Sequence, residues 1–264
     1  MSWTLDGSAH ATLANNTALT IPDDQNWAFA GWCKYASTAG TNYPRVFCWG
    51  TKGARPHVQV FLAQADNAVA NADRLCARII DNVGVDSTVL YAAGKAASDM
   101  NGEWVAWTLT YDAAANRVYF RVLDRALSMF YSDETAMICH GITSASVGAN
   151  LYLGSSSALG NDRWVGDLSE TCYFNGTFME VNNFHGFIHG ARGHRWPTTN
   201  WYTPMLGGRY EEWTQGLTVT NTSITAGDSE PQLTMFTPRG QPSLFSSDAS
   251  YGLGRIAGGN VLGA

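Results

Sequence analysis

Residues 151–190 read LYLGSSSALGNDRWVGDLSETCYFNGTFMEVNNFHGFIHG. A short apolar strand, LYLG, runs into a loop of small residues, and a second strand, WVGDLSETCYF, comes next. The chain then takes on a helical pattern. Thr177 and Glu180 have the spacing of a capping box, in which hydroxyl and carboxylate each satisfy an orphan amide of the first turn. Phe178, Val181, Phe184 and Ile188 recur at helical spacing, and Gly190 stands where a left-handed C-cap falls. The expectation is a strand pair closed by one short helix, in a chain that elsewhere reads as strand.

Towards the N-terminus, residues 2–13 alternate weakly around an Asp6-Gly7 turn. WAFAGWCKY (27–35) puts Phe29, Gly31, Cys33 and Tyr35 on one face and Ala28, Ala30, Trp32 and Lys34 on the other. Both faces are mostly apolar, as a central strand covered on both sides requires. RVFCWG (45–50), HVQVFLAQ (57–64) and RLCARII (74–80) are further strands between Gly, Asn and Asp turns. WVAWTLTY (104–111) and RVYFRVL (117–123) flank the turn DAAAN. Val118, Phe120 and Val122 alternate there with Arg117, Tyr119 and Arg121, which predicts a hairpin with one wet face. Many short strands with one helix indicate an all-β, two-sheet antiparallel jelly-roll sandwich. No repeat of propeller or solenoid period is present.

The chain has 264 residues, 45% of them hydrophobic, enough for a substantial core. Charged residues make up only 14%, against about a quarter in ordinary soluble proteins. A net charge of −6 without a basic run argues against nucleic acid as the ligand. No apolar run approaches the ~20 residues that span a bilayer, and the N-terminus lacks the pattern of a secretory signal. Five cysteines, Cys33, Cys48, Cys76, Cys139 and Cys172, are an odd number without a Cys-x-x-Cys pair. Four sit in apolar strand-like runs, so we expect free structural thiols in a protein made in a reducing cytosol.

LDGSAHATL (5–13), WAFAGWCKY, GEWVAWTLTYDAAANRVYFRVLDRAL (102–127), LYLGSSS and WVGDLSETCYFNGTFMEVNNFHGFIHG succeed one another in an order that resembles the laminin-G-like, concanavalin A-like jelly roll. The likeness covers about residues 3–193. It implies that a Trp-containing strand begins the fold and that a Gly-Asp-hydrophobic strand before a short helix ends it. The sequence departs from the family pattern at Leu123-Asp124-Arg125, where the hairpin tip usually carries Asp-Gly, and at Ser169-Glu170, where an acidic pair is common. Such domains sometimes hold a structural calcium ion where Asp6 and Asp167 lie. Calcium needs six or more oxygens, and two side chains do not supply them, so turn and strand-end roles are expected and no cofactor is assigned.

Residues 194–264 differ in character and form a separate extension. HRWPTTNWYTPMLGGRYEEW is rich in Trp, Tyr, Pro and Gly, and the last 25 residues are mostly small residues with scattered apolars. They read as an arm lying on the sandwich or on a neighbouring subunit. The stretch resembles the segment C-terminal to the laminin-G-like fold in proteins ascribed to tailed-phage virions. That likeness implies a virion location, major capsid or other virion proteins as partners, and a homo-oligomer, with a trimer inferred from the threefold sites such proteins occupy.

A glycosidase on this fold needs two carboxylates facing across a cleft. Glu103 precedes a core strand, Asp133-Glu134 lies in a loop, and Glu211-Glu212 sits in the arm. No Glu-x-Asp-x-x-Glu run and no Gly-x-Ser-x-Gly elbow is present. His185, His189 and His194 cluster near the predicted helix end, but a zinc site lacks a further ligand. Trp27, Trp32, Trp104 and Trp107 are expected to pack in or on the sheets. Trp196, Trp201, Tyr202, Tyr210 and Trp213, in an irregular segment, are the candidate interface or glycan contacts, because such rings anchor interfaces and stack on sugars. Three readings emerge: a non-enzymatic virion structural protein, foremost a capsid decoration protein; a glycan-binding module; and, least favoured, a glycosidase.

Overall fold

The computed structural model describes residues 2–17, 19–36, 43–51, 54–63, 74–87, 89–91, 102–124, 129–157, 162–178, 201–203 and 219–227. In chain order the elements are β1 (Ser2–Asp6), β2 (His10–Leu13), β3 (Trp27–Tyr35), β4 (Arg45–Trp49), β5 (His57–Ala63), β6 (Arg74–Ile80), β7 (Leu90–Tyr91), β8 (Trp104–Asp112), β9 (Arg117–Asp124) and β10 (Met129–Ala136). The helical turn α1 (Ser144–Val147) comes next, then β11 (Leu151–Leu153), β12 (Val165–Asn175), β13 (Trp201–Thr203), β14 (Val219–Thr222) and β15 (Thr225–Gly227). One sheet has the order β10-β9-β8-β3-β12-β1-β15, with β13 also on β12; the other runs β14-β2-β11-β4-β5-β6-β7. The chain is a two-sheet antiparallel sandwich. The helix expected over 177–190 lies outside the described residues from 179 onward. The helix α1 is a single turn, capped reciprocally by the Thr143 hydroxyl and the Ser146 side chain.

Alternation explains most of the core. On β3, Trp27, Phe29 and Cys33 face the opposite sheet, while Ala28, Ala30 and Trp32 join Trp104, Ala106, Cys172 and Phe174 in a second buried apolar layer outside. Val118, Phe120 and Val122 are fully buried, and Arg117, Tyr119 and Arg121 are half-buried, as the hairpin pattern requires. Asp112 accepts the amides of Ala114 and Ala115 at 3.0 and 3.3 Å and closes the turn. Phe29 lies 4.9 Å from Phe47 of the other sheet and 4.6 Å from Tyr173.

One irregularity positions that cluster. The β3–β12 register shifts between Ser169 and Cys172. Leu168 and Tyr173 are five positions apart, so strict alternation would send one of them outward. Both are in the core, because the bulge adds a residue and resets the phase. Asp133 and Glu134, expected in a loop, are on β10 opposite Phe120 and Tyr119. Charge on an edge strand is tolerated because only one side of it is paired, and Glu134 reaches Arg117 at 2.7 Å.

The arm contributes to both sheets. Val219–Thr222 pairs with β2 and Thr225–Gly227 with β1, so the β14–β15 corner nests against the β1–β2 corner. Val219 and Ile224 enter the core, and Asn221 Oδ1 accepts the Ile224 amide at 2.9 Å to turn the corner.

This packing sets two expected outcomes. Gly166 has φ 132°, and a Cβ there would overlap the Lys34 carbonyl oxygen. Gly166→Ala should cost about 3 kcal/mol or more in urea unfolding. Gly148→Ala, at φ 58° in open space, should cost about 1–2 kcal/mol; equal losses would contradict the packing described. All five cysteines are free and buried. Burial raises the thiol pKa of Cys33, and lifts those of Cys76 and Cys139 to about 12. Ellman's reagent at pH 8 should therefore read no thiol in the native protein and all five after unfolding.

Candidate functional site

The sequence-derived candidates fall in several places. Trp196, Tyr210, Trp213, His185, His189, His194, Glu211 and Glu212 lie outside the described residues. Trp201 and Tyr202 belong to β13, whose backbone pairs with Tyr173 and Cys172 beyond the bulge. Asp6 Oδ1 accepts the Ser8 amide and hydroxyl at 2.8 and 2.7 Å and the Ala9 amide at 3.1 Å, and the Ser8 bonds hold its pKa below the usual carboxylate range. Asp167 Oδ1 accepts the Thr4 hydroxyl at 2.5 Å while Oδ2 lies 3.4 Å from Lys34 Nζ. Two carboxylates engaged in this way, one beside a lysine, do not fit a calcium ion. Among the described residues no group of three or more His, Cys, Asp and Glu side chains converges.

The structure brings together a different set, on the outer face of the seven-stranded sheet. Pairing places Thr220, Thr12, Tyr152, Cys48, Gln59 and Arg78 in one row across β14, β2, β11, β4, β5 and β6. At the β14 end the row is open: Thr220 is exposed, and Thr12 and Tyr152 are half-buried. Cys48 and Gln59 are covered. Arg78 Nε donates to Asp86 Oδ1 at 3.0 Å and Nη2 to Oδ2, so the one cation in the row is neutralised.

Beside Gln59 lie Arg45 and His57, both almost fully buried. The Arg45 guanidinium sits 4.6 Å over the Phe61 ring, donates from Nη1 to the Tyr43 carbonyl at 2.6 Å, and has Asp162 at 3.8 Å. Burial pulls its pKa down and Asp162 opposes that. His57 Nδ1 is 2.6 Å from the Ala54 carbonyl oxygen, so Nδ1 carries the proton and Nε2 is an acceptor. Three buried atoms on this face, Arg45 Nε, Gln59 Oε1 and His57 Nε2, have no hydrogen-bond partner. At the open end, Arg163 Nη1 donates to His10 Nδ1 at 2.8 Å and also to the Ser8 carbonyl, and the His10 ring is tilted against Tyr152 at 6.1 Å. Burial and then Arg163 lower the pKa of His10.

Strands β4, β5 and β6 were legible in the sequence, but this row was not. The available signal was the alternation of His57, Gln59 and Phe61 with Val58, Val60 and Leu62, which marks a polar outer face. Tyr152 and Thr12 join it only through strand pairing.

No protein-family model matches the sequence, and no curated protein matches it. Among solved structures the chain is similar to a heptameric SAP-like pentraxin from Limulus polyphemus, with TM-score 0.51 and 10% identity over 86% of this chain and 95% of that one. It is also similar to the LG1-3 region of the laminin alpha2 chain (TM-score 0.48, 12% identity, 65% of this chain, 30% of that one). A third is tailspike protein 2 of an Escherichia coli bacteriophage (TM-score 0.46, 12% identity, 74% of this chain, 25% of that one). The chain thus spans less than a third of the laminin fragment and of the tailspike. At such identities likeness speaks to fold alone. With the sheet order above, the pentraxin likeness supports a two-sheet antiparallel jelly-roll fold.

Because burial holds His57 and His10 below the ordinary histidine value of 6.5, an unfolded chain takes up protons near pH 6.5 that the native state refuses. Stability should fall as pH drops from 7 to 5.5. His57→Asn, which keeps a donor for Ala54, should flatten that fall by up to about 1.4 kcal/mol per pH unit. An unchanged slope of urea midpoint against pH would contradict a neutral His57.

Proposed function

We propose that the chain is a non-enzymatic structural protein of a bacteriophage virion, a capsid decoration protein whose jelly roll is the body and whose C-terminal segment is the assembly arm. The observation that carries this reading is the β14–β15 corner. It adds the last described strand to one edge of each sheet. Residues 228–264 come after it, with apolar side chains such as Phe236, Leu244 and Phe245 among Gly, Ser and Pro. A segment of that composition has too few apolar residues for a core of its own, which leaves docking on a partner as its proposed role. The charge-poor composition is consistent with a protein packed among sister copies. Two of the described carboxylates serve the structure: Asp24 accepts the Tyr111 hydroxyl at 2.9 Å, and Asp81 accepts the amides of Val83, Val85 and His140.

A second reading, a glycan-binding module, is favoured by the half-exposed Tyr152 set between Thr12 and the uncharged end of the polar row.

Light scattering separates arm from body. Full-length protein should run as a trimer, and a chain truncated after Gly227 should be a monomer with the same melting temperature. Two monomers of equal stability would remove the assembly role of the arm.

A further inference from the structure

We propose that the segment expected as a helix over 177–190 docks across the outer face of the eight-stranded sheet, which makes that face unavailable to any other partner. The inference is independent of the virion reading, because neither this face nor this segment carries that reading.

The face is apolar and covered. Ala28, Ala30 and Trp32 of β3, Trp104 and Ala106 of β8, and Cys172 and Phe174 of β12 form one cluster, none more than 6% exposed. Thr108 and Thr110, which alternate outward with Trp104 and Ala106 along β8, are fully buried. Every described strand belongs to one of the two sheets, and α1 buries none of its residues. The described elements thus supply no layer over this face, and an apolar sheet face needs an apolar surface laid on it.

The two ends of the segment select it as the occupant. Phe178, three residues past the end of β12, already lies over β9: its ring is 5.6 Å from the Tyr119 ring and 5.3 Å from the Arg121 guanidinium. Gly176, at φ 74°, turns the chain towards them. At the other end, β13 pairs with β12 at Thr171, Cys172 and Tyr173, on the side of β12 away from β3. The chain between Phe178 and Trp201 therefore recrosses the sheet from β9 to β13, four strand spacings or about 19 Å. A helix over 177–190 is about 21 Å long.

The sheet offers a path of that length. Strand pairing puts Arg121, Thr108, Ala30, Cys172 and Tyr202 in one row, from the Phe178 contact to β13. The middle of the row is small side chains, with Trp32 and Trp104 on one side of it and Phe174 on the other. Such a groove admits the apolar stripe of a helix, which here is Phe178, Val181, Phe184 and Ile188, with Asn183 on the opposite side.

The test places the photoreactive residue p-benzoylphenylalanine at Phe184, or in a second protein at Asn183, of the full-length chain. Each is refolded as an equal mixture of 14N- and 15N-labelled protein, irradiated, and mapped by tryptic mass spectrometry. The Phe184 probe should attach to peptides carrying Ala30 or Thr108 of its own chain, with attachment from Asn183 at least tenfold lower. Products that join the two isotopes would make a second copy the occupant and overturn the proposal. Equal yields from both positions, or no attachment to β3 or β8, would overturn it as well. In urea, Phe184→Asp should lower the folded-to-unfolded ratio at least tenfold while Asn183→Asp leaves it unchanged within twofold; equal effects count against the docked stripe.

Discussion

The aromatic contact among Phe29, Phe47 and Tyr173 is the point on which the sandwich depends. Phe29 comes from the middle of the eight-stranded sheet, Phe47 from the middle of the other, and their ring centroids are 4.9 Å apart. Tyr173 stacks on Phe29 at 4.6 Å only because the β12 bulge turns it inward. Trp107 fits beside them over Gly31, where a Cβ would come 2.9 Å from the indole. Each buried ring contributes about 1.5–3 kcal/mol through removal from water. The cluster also sets which way every neighbouring strand faces.

Sequence-distant segments hold this centre together. β1 pairs with β12 on one side and β15 on the other, so residues from both ends of the described chain lie side by side. Such non-local pairing delays the return on chain entropy until late in folding. It also accounts for the short corner at 219–227. Seven paired positions and two core side chains cover edges of β1 and β2 that would otherwise present open backbone.

The outer faces of the two sheets are covered differently. Outside the eight-stranded sheet, alanines, Trp32, Trp104 and Phe174 make a buried apolar layer. Outside the seven-stranded sheet, the buried residues include the polar Arg45, His57 and Gln59. Unmatched buried polar atoms carry a standing cost, and both faces bear it, at the Trp104 indole nitrogen as at Gln59 Oε1 and His57 Nε2.

Much of the architecture was legible in the residues themselves. Period-two alternation placed β3, β8 and β9 and their inward faces, because a half-buried strand writes its environment into every second side chain. The buried state of Trp27, Trp32, Trp104 and Trp107 was readable for the same reason. The β10 strand was not, since its Asp133-Glu134 pair looks like a loop until an edge position explains it. The bulge was hidden as well, because a phase shift depends on the partner strand. The polar row from Thr220 to Arg78 belongs to six strands that are far apart in the chain. Sequence alone determined what the regularly alternating strands bury; only the tertiary structure decided which strands stand next to one another and where the alternation breaks, because hydrogen-bonded register is a property of pairs and not of a single segment.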